Sequence, residues 1–177
     1  VHEHALVKIR PDMPLDRAAL IGCAVTTGVG AVTNTAQVEV GATIAVIGCG
    51  GIGLSAINGA AISGAGRIIA IDLNDSKLDT ARTFGATDTI NAATTDPVEA
   101  IREMTGGGVA YSFEAIGRKQ TTEQAFRMLA TGGTATVIGM VPEGEMVEIE
   151  AADLINDKTL RGSNMGSNRF RVDMPNY

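Results

Sequence analysis

Short apolar, mostly β-branched runs alternate along the chain with segments of helix length. Thr43–Ile47 (TIAVI) is a continuous apolar run followed by glycines, and Ile52–Ile62 is a small-residue helical segment that stops at Ser63-Gly64. Arg67–Asp72 (RIIAID) is a second apolar strand, Ser76–Phe84 a helix stopped by Gly85, and Thr89–Asn91 a short third strand. Asp96-Pro97-Val98-Glu99 is a helix start: the acid caps, proline takes the first turn, and Glu99 completes a capping box. That helix is expected to run to Thr105, before the Gly106–Gly108 triplet. Val109–Glu114 then predicts a fourth strand, Thr122–Leu129 a helix, and Thr134–Ile138 a fifth strand. A short helix at Ala151–Asn156 precedes a last strand, Thr159–Gly162. Strands apolar on both faces and alternating with helices predict an α/β protein: a doubly wound parallel sheet of six strands. Residues 1–22 break this rhythm. They carry Pro11, Pro14 and a short amphipathic piece, Leu15–Ile21, and read as the tail of another unit.

Composition narrows the picture. The chain has 177 residues, the size of one compact domain. Aromatic residues are 3 %, tryptophan is absent and there are 22 glycines, so the core must be aliphatic. A formal net charge of −6 argues against nonspecific binding to nucleic acid or anionic membrane, which needs a basic surface. Cys23 and Cys49 form no CxxC and no disulfide framework, so a reducing, cytoplasmic setting is expected. VHEHALVKIRPD contains no apolar signal-peptide core. The apolar-looking stretch Ala56–Ile71 is interrupted by Asn58, Ser63, Arg67 and glycines, and no membrane span is expected.

The candidate chemistry lies where the first strand meets the first helix of this rhythm. Gly48-Cys49-Gly50-Gly51-Ile52-Gly53 is G-x-G-x-x-G in the strand–turn–helix context that a dinucleotide site requires. Gly48 permits the tight turn, Gly50 lets backbone approach a pyrophosphate, and Gly53 lets helix and sheet pack closely. The helix N-terminus offers N–H groups and the positive dipole end to phosphate. Asp72 lies 19 residues after Gly53, at the end of the second strand, placed to accept hydrogen bonds from ribose hydroxyls and repel a 2′-phosphate. Leu73, Asn74 and Asp75 follow without an arginine, which favours NAD over NADP. S-adenosylmethionine sites also use a glycine loop and an acid, but the six-residue spacing suits a pyrophosphate better. Lys77 either reaches the same ribose or is an ordinary solvated helix lysine. His2 and His4 form H-x-H, a spacing that can bind metal but here reads as polar terminal residues.

Several motifs in order resemble the zinc-dependent medium-chain alcohol dehydrogenases, particularly the class III type. Gly22-Cys23 through Gly30 is similar to that family's Cys-x-x-x-Thr-Gly-x-Gly segment. IAVIGCGGIGLSAINGA, RIIAIDLNDSKLDTARTFGATDTIN, YSFEAIGR and GTATVIGMVP resemble its successive βα units. The resemblance implies a Rossmann coenzyme domain with roles for particular residues. Cys23 would be one ligand of the catalytic zinc, and Thr27 would pack beside the nicotinamide. Gly48, Gly50, Gly51, Ile52 and Gly53 would hold the pyrophosphate, and Ile52 would also touch the nicotinamide. Asp72 and Lys77 would hold the adenosine ribose, and Ile47, Leu73 and Ile116 would border adenine and ribose. Ile138, Gly139 and Met140 would line the nicotinamide side. Cys49 reads as a small filler, not a ligand.

The same resemblance implies that the catalytic domain is missing. Residues 1–24 would be its tail, 25–164 the NAD-binding domain and 165–177 the return toward it, cut from a chain roughly twice as long. The expected function is the NAD-binding part of an enzyme that moves hydride between a primary alcohol or aldehyde and NAD. No catalytic residue is expected in this segment, no complete zinc site, and no turnover by it alone. The alternative is a freestanding nucleotide-binding or regulatory module without catalysis. Quinone reductase relatives, which lack the zinc ligand, are disfavoured by Cys23. The edge strand 159–162, with Val147–Ile149 nearby, predicts a homodimer joined sheet to sheet.

Overall fold

The structure is a computed structural model, and it describes residues 1–3 and 6–177. His4, half of the H-x-H pair, lies outside the described residues. Six strands form the sheet: β1 (Thr43–Ile47), β2 (Arg67–Asp72), β3 (Asp88–Asn91), β4 (Val109–Glu114), β5 (Leu129–Val137) and β6 (Thr159–Gly162). Their order is β3-β2-β1-β4-β5-β6, and every pairing is parallel. This is the doubly wound sheet that the apolar runs predict. The chain winds outward from β1 in both directions, so the loops after β1 and β4 diverge and open a crevice at the carboxyl ends of the strands. Register brings Ile47 opposite Ile71 on one side and Glu114 on the other, with Glu114 opposite Val137.

Among the described residues seven helices accompany the sheet: α1 (Leu15–Ala36), α2 (Gly51–Ile62), α3 (Asp75–Thr83), α4 (Pro97–Thr105), α5 (Lys119–Arg127), α6 (Ala151–Ile155) and α7 (Phe170–Asp173). The α4 start follows the sequence signal closely: Asp96 Oδ1 accepts from the amides of Val98 and Glu99 at 2.9 and 3.0 Å, and Gly106 closes the helix at φ +72°. Asn74 caps α3 in the same way, accepting from Ser76 N at 2.9 Å. One face of the sheet buries Ile44, Val46, Ile68 and Phe113 with Val32 of α1 and Ile57 of α2. The other buries Ile47, Ile69 and Ile71 with Ile101 of α4 and Phe126 of α5. The core is aliphatic apart from two phenylalanines, Phe113 and Phe126.

Two elements depart from the sequence pattern. The helix expected at Thr122–Leu129 is α5, Lys119–Arg127, and Leu129 opens β5 instead. Arg118 is extended and its carbonyl accepts from the hydroxyls of Thr121 and Thr122, so the helix starts three residues early. Leu129 pairs with Val109, and the register shifts before Tyr111 meets Thr134. That irregularity lets the strand run through Gly132-Gly133, whose glycines read as a break.

The larger difference is α1. Only Leu15–Ile21 carries a helical signal, yet the helix continues to Ala36, with π-helical turns at Ile21–Val25 and Ala31–Ala36. Its glycines hide it from propensity reasoning. Packing explains them. A Cβ on Gly28 would lie 2.4 Å from Ile52 O, and one on Gly30 would lie 2.5 Å from Gly166 O. On the facing helix, a Cβ on Gly59 would approach Val29 Cα at 3.0 Å. Residues 26–32 of α1 are all buried. Among the described residues α1 is long and apolar enough to cross a membrane by length and composition alone. Its apolar second half is packed in the core, against α2 and the 163–167 segment, where Thr35 Oγ1 bonds both Ser163 Oγ and Ser167 Oγ at 2.8 Å.

Candidate functional site

The crevice is built first by the turn after β1. Gly48 sits at φ +95°, and its amide donates to Ile71 O at 2.8 Å, fixing the turn to β2. A Cβ on Gly53 would lie 1.7 Å from Gly48 O, so the first turn of α2 presses directly on the loop. Gly50 is different: no atom lies within 4 Å of where its Cβ would be. It is the N-cap of α2, extended at φ −83° and ψ −173°, with no side chain capping the helix and no acid in the first turn. A twelve-residue helix thus points an uncapped N-terminus at open space, which is the geometry that accepts an anion.

Asp72 closes the adjoining side. Its Oδ2 accepts from Cys49 N at 2.8 Å and its Oδ1 from Asn74 N at 3.1 Å, while Lys77 Nζ stands 3.9 Å from Oδ2. The acid therefore clasps the glycine loop to the end of β2, and each oxygen keeps further acceptor capacity. Cys49 Sγ is buried, 3.8 Å from Ile71 O. Burial, reinforced by the Asp72 charge, pushes its thiol up to about 12, so it is inert packing.

A cleft of about 410 Å³ opens beside this turn. Of the residues singled out in the sequence, Ile47, Gly48, Gly50, Asp72, Leu73, Lys77 and Ile116 line it. Leu73 and Ile116 are partly exposed apolar side chains on its opposite walls. Gly51, Ile52, Gly53, Thr27, Ile138, Gly139 and Met140 stand outside it. Thr27 is buried on α1, with its hydroxyl 3.7 Å from Met165 Sδ. Ile138 is buried at the end of β5, whereas Met140 is 93 % exposed. Gly139 meets the loop after β4 so closely that a Cβ there would lie 2.1 Å from Gly117 N.

The far wall holds residues that sequence reasoning missed: Arg118, Gln120, Thr121 and Gln124 from the start of α5, with Pro97 from α4. They follow from the early start of α5, which turns its first residues toward the crevice. Glu114 was also missed. It is fully buried at the end of β4, and its Oε1 accepts from Ile116 N at 2.9 Å, Gly117 N at 2.8 Å and Thr121 Oγ1 at 2.8 Å. A charged residue ending an otherwise apolar strand was the available signal.

Cys23 is exposed on the N-terminal half of α1. Among the described residues no group of three or more His, Cys, Asp or Glu side chains could hold a metal ion. Cys23 alone among the described residues does not make a zinc site.

Comparison with known proteins agrees with this geometry. Residues 51–176 match the family described as zinc-binding dehydrogenase. The chain is 42 % identical over 174 residues to alcohol dehydrogenase-like 5 of Arabidopsis thaliana, covering 96 % of this chain and 45 % of that protein. It is 39 % identical over 178 residues to alcohol dehydrogenase class-3 of Pisum sativum, covering 99 % and 47 %. The chain spans about half the length of the curated relatives it matches. Among solved structures, benzyl alcohol dehydrogenase of Acinetobacter calcoaceticus superposes with a TM-score of 0.93 at 35 % identity, over 96 % of this chain and 47 % of that one. A zinc-binding dehydrogenase of Sinorhizobium meliloti bound to NADP gives 0.80 at 30 % identity, over 88 % and 47 %. This chain belongs to the zinc-binding dehydrogenase family, and its sheet is that of the NAD-binding domain of alcohol dehydrogenases.

Proposed function

We propose that this chain binds NAD as the coenzyme-binding part of a zinc-dependent alcohol dehydrogenase, which moves hydride between a primary alcohol or aldehyde and the nicotinamide. The observation that carries the reading is the open space at Gly50 before the uncapped N-terminus of α2, beside the Asp72 carboxylate. Bound NAD supplies the hydride acceptor. The residues here supply placement. Free amides at the start of α2 would hold the pyrophosphate, and Gly50 would let it approach the backbone. Asp72, with its remaining acceptor capacity, would bind ribose hydroxyls and oppose a 2′-phosphate, with Lys77 beside it. Leu73 and Ile116 would sandwich the base. Thr27, Ile138, Gly139 and Met140 would border the nicotinamide. Cys23 would contribute one thiolate to a metal site whose other ligands lie outside the described residues.

Residues 25–164 form the binding domain in this reading, and 1–24 and 165–177 connect it to a catalytic domain. Alone, the 177-residue chain turns over no alcohol. Its setting is cytoplasmic. Two copies pair through edge strand β6, next to which Leu154 and Ile155 are exposed on α6. Sedimentation that shows only monomer at high concentration would remove the pairing.

Titration calorimetry tests the coenzyme reading directly. NAD should bind at least tenfold more tightly than NADP. Asp72→Asn should weaken NAD about tenfold, or roughly 1.4 kcal/mol. Equal affinity for the two cofactors, or an unchanged variant, counts against the ribose assignment.

A further inference from the structure

We infer that Glu114 is a positioning residue that sets both walls of the dinucleotide crevice from one carboxylate. The inference deepens the coenzyme reading and rests on it. Glu114 has no solvent exposure, and its two oxygens face different loops. Oε1 gathers three donors, the amides of Ile116 and Gly117 and the hydroxyl of Thr121. These fix Ile116 on the cleft wall and Thr121 on the first turn of α5, both of which line the adenosine end. Oε2 is buried without a hydrogen-bond partner and points at the loop after β5, 2.6 Å from where a Cβ on Gly139 would stand. A buried polar atom left unpaired is costly and calls for an explanation. The planar carboxylate provides one: seating Oε1 on the β4 loop forces Oε2 toward Gly139. The two loops also interlock directly. A Cβ on Gly117 would lie 2.5 Å from Met140 O, and one on Gly139 would lie 2.1 Å from Gly117 N. The side chain of Glu114 therefore wedges between them, and the adenosine wall and the nicotinamide rest move as one body.

Two variants separate this role from plain stability. Glu114→Gln keeps an acceptor for the three donors but turns an NH2 group onto Gly139, whereas Glu114→Ala leaves all three donors without it. The 177-residue chain is titrated with ADP-ribose, which has the adenosine, both phosphates and the second ribose but no nicotinamide, and with NADH. Each affinity is normalised to the folded fraction at the same temperature. Glu114→Ala should weaken ADP-ribose at least tenfold. Glu114→Gln should keep ADP-ribose within twofold while the advantage of NADH over ADP-ribose falls about fivefold. The clamp is overturned if the alanine variant binds ADP-ribose like the parent, or if the glutamine variant shifts both ligands equally. A parent chain that binds neither ligand fails the coenzyme reading itself, and the clamp falls with it. A ligand-bound parent with unmoved variants fails the clamp alone.

Discussion

The crevice has two halves built on different logic. On the β1–β2 side the parts lie close in sequence: Gly48, Gly50 and Gly53 in one loop, and Asp72 at the end of the next strand. Asp72 ties that loop down from the side, with both of its oxygens engaged by backbone amides. On the β4–β5 side the parts lie far apart. Gly117 and Gly139 touch across 22 positions of chain, and one oxygen of the buried acid beneath them is left without a partner. The first half is a motif and can be recognised from spacing. The second is a contact and exists only once the sheet has formed.

Adding single methyl groups is the sharpest way to break this contrast. Gly53→Ala places a Cβ 1.7 Å from Gly48 O, where backbone must give way, and should cost roughly 3 kcal/mol or more in urea denaturation. Gly50→Ala, three residues earlier in the same loop, meets nothing and should cost about 1 kcal/mol or less, through poorer capping. It should nevertheless weaken NAD, because its methyl would stand in the open space through which the phosphate is proposed to approach. If both variants are equally unstable, the loop is not divided into a packed and an open glycine as described.

Across the crevice, Gly139→Ala drives a methyl into Gly117 N and Glu114 Oε2 and should cost roughly 2 kcal/mol. Stability unchanged by this substitution would show that the β4 and β5 loops are not interlocked. A modest, pH-dependent effect lies at the foot of β2. Arg67 forms a two-point pair with Asp88 at 3.0 and 2.9 Å, and this bond, helped by Thr87, holds the Asp88 carboxyl down at about 2. A lowered carboxyl stabilises the fold above its unfolded value near 3.8 and loses that contribution as pH falls toward 2. Both side chains are partly solvated, so the effect should be about 1 kcal/mol. Asp88→Asn should be less stable than the parent at pH 7 by that amount, and the gap should close near pH 2. A gap that persists there assigns it to packing instead.

The parallel sheet was legible because β-branched runs such as TIAVI and RIIAID have no other use at that length. The glycine loop and Asp72 were legible because their spacing is local. The helix α1 was not, because Gly28 and Gly30 lower helix propensity and make sense only against Ile52 O and Gly166 O. The start of α5 was misplaced because Arg118 and Lys119 carry no capping residue, and that shift concealed Gln120 and Gln124 at the cleft. Glu114 was passed over because its partners are backbone amides, which every sequence contains.

The two ends of α1 have different mechanical standing. At about 1.5 Å per residue the helix is a rod roughly 33 Å long. Residues 26–32 are clamped, while Leu15, Leu20 and Cys23 are exposed. Between these regions Ala24 Cβ lies 3.5 Å from the position of a Cβ on Gly51, the first residue of α2. The helix therefore passes from exposed to buried where it meets the first residue of α2, next to the glycine turn. A larger side chain at Ala24 would press on the first residue of α2 from outside the crevice.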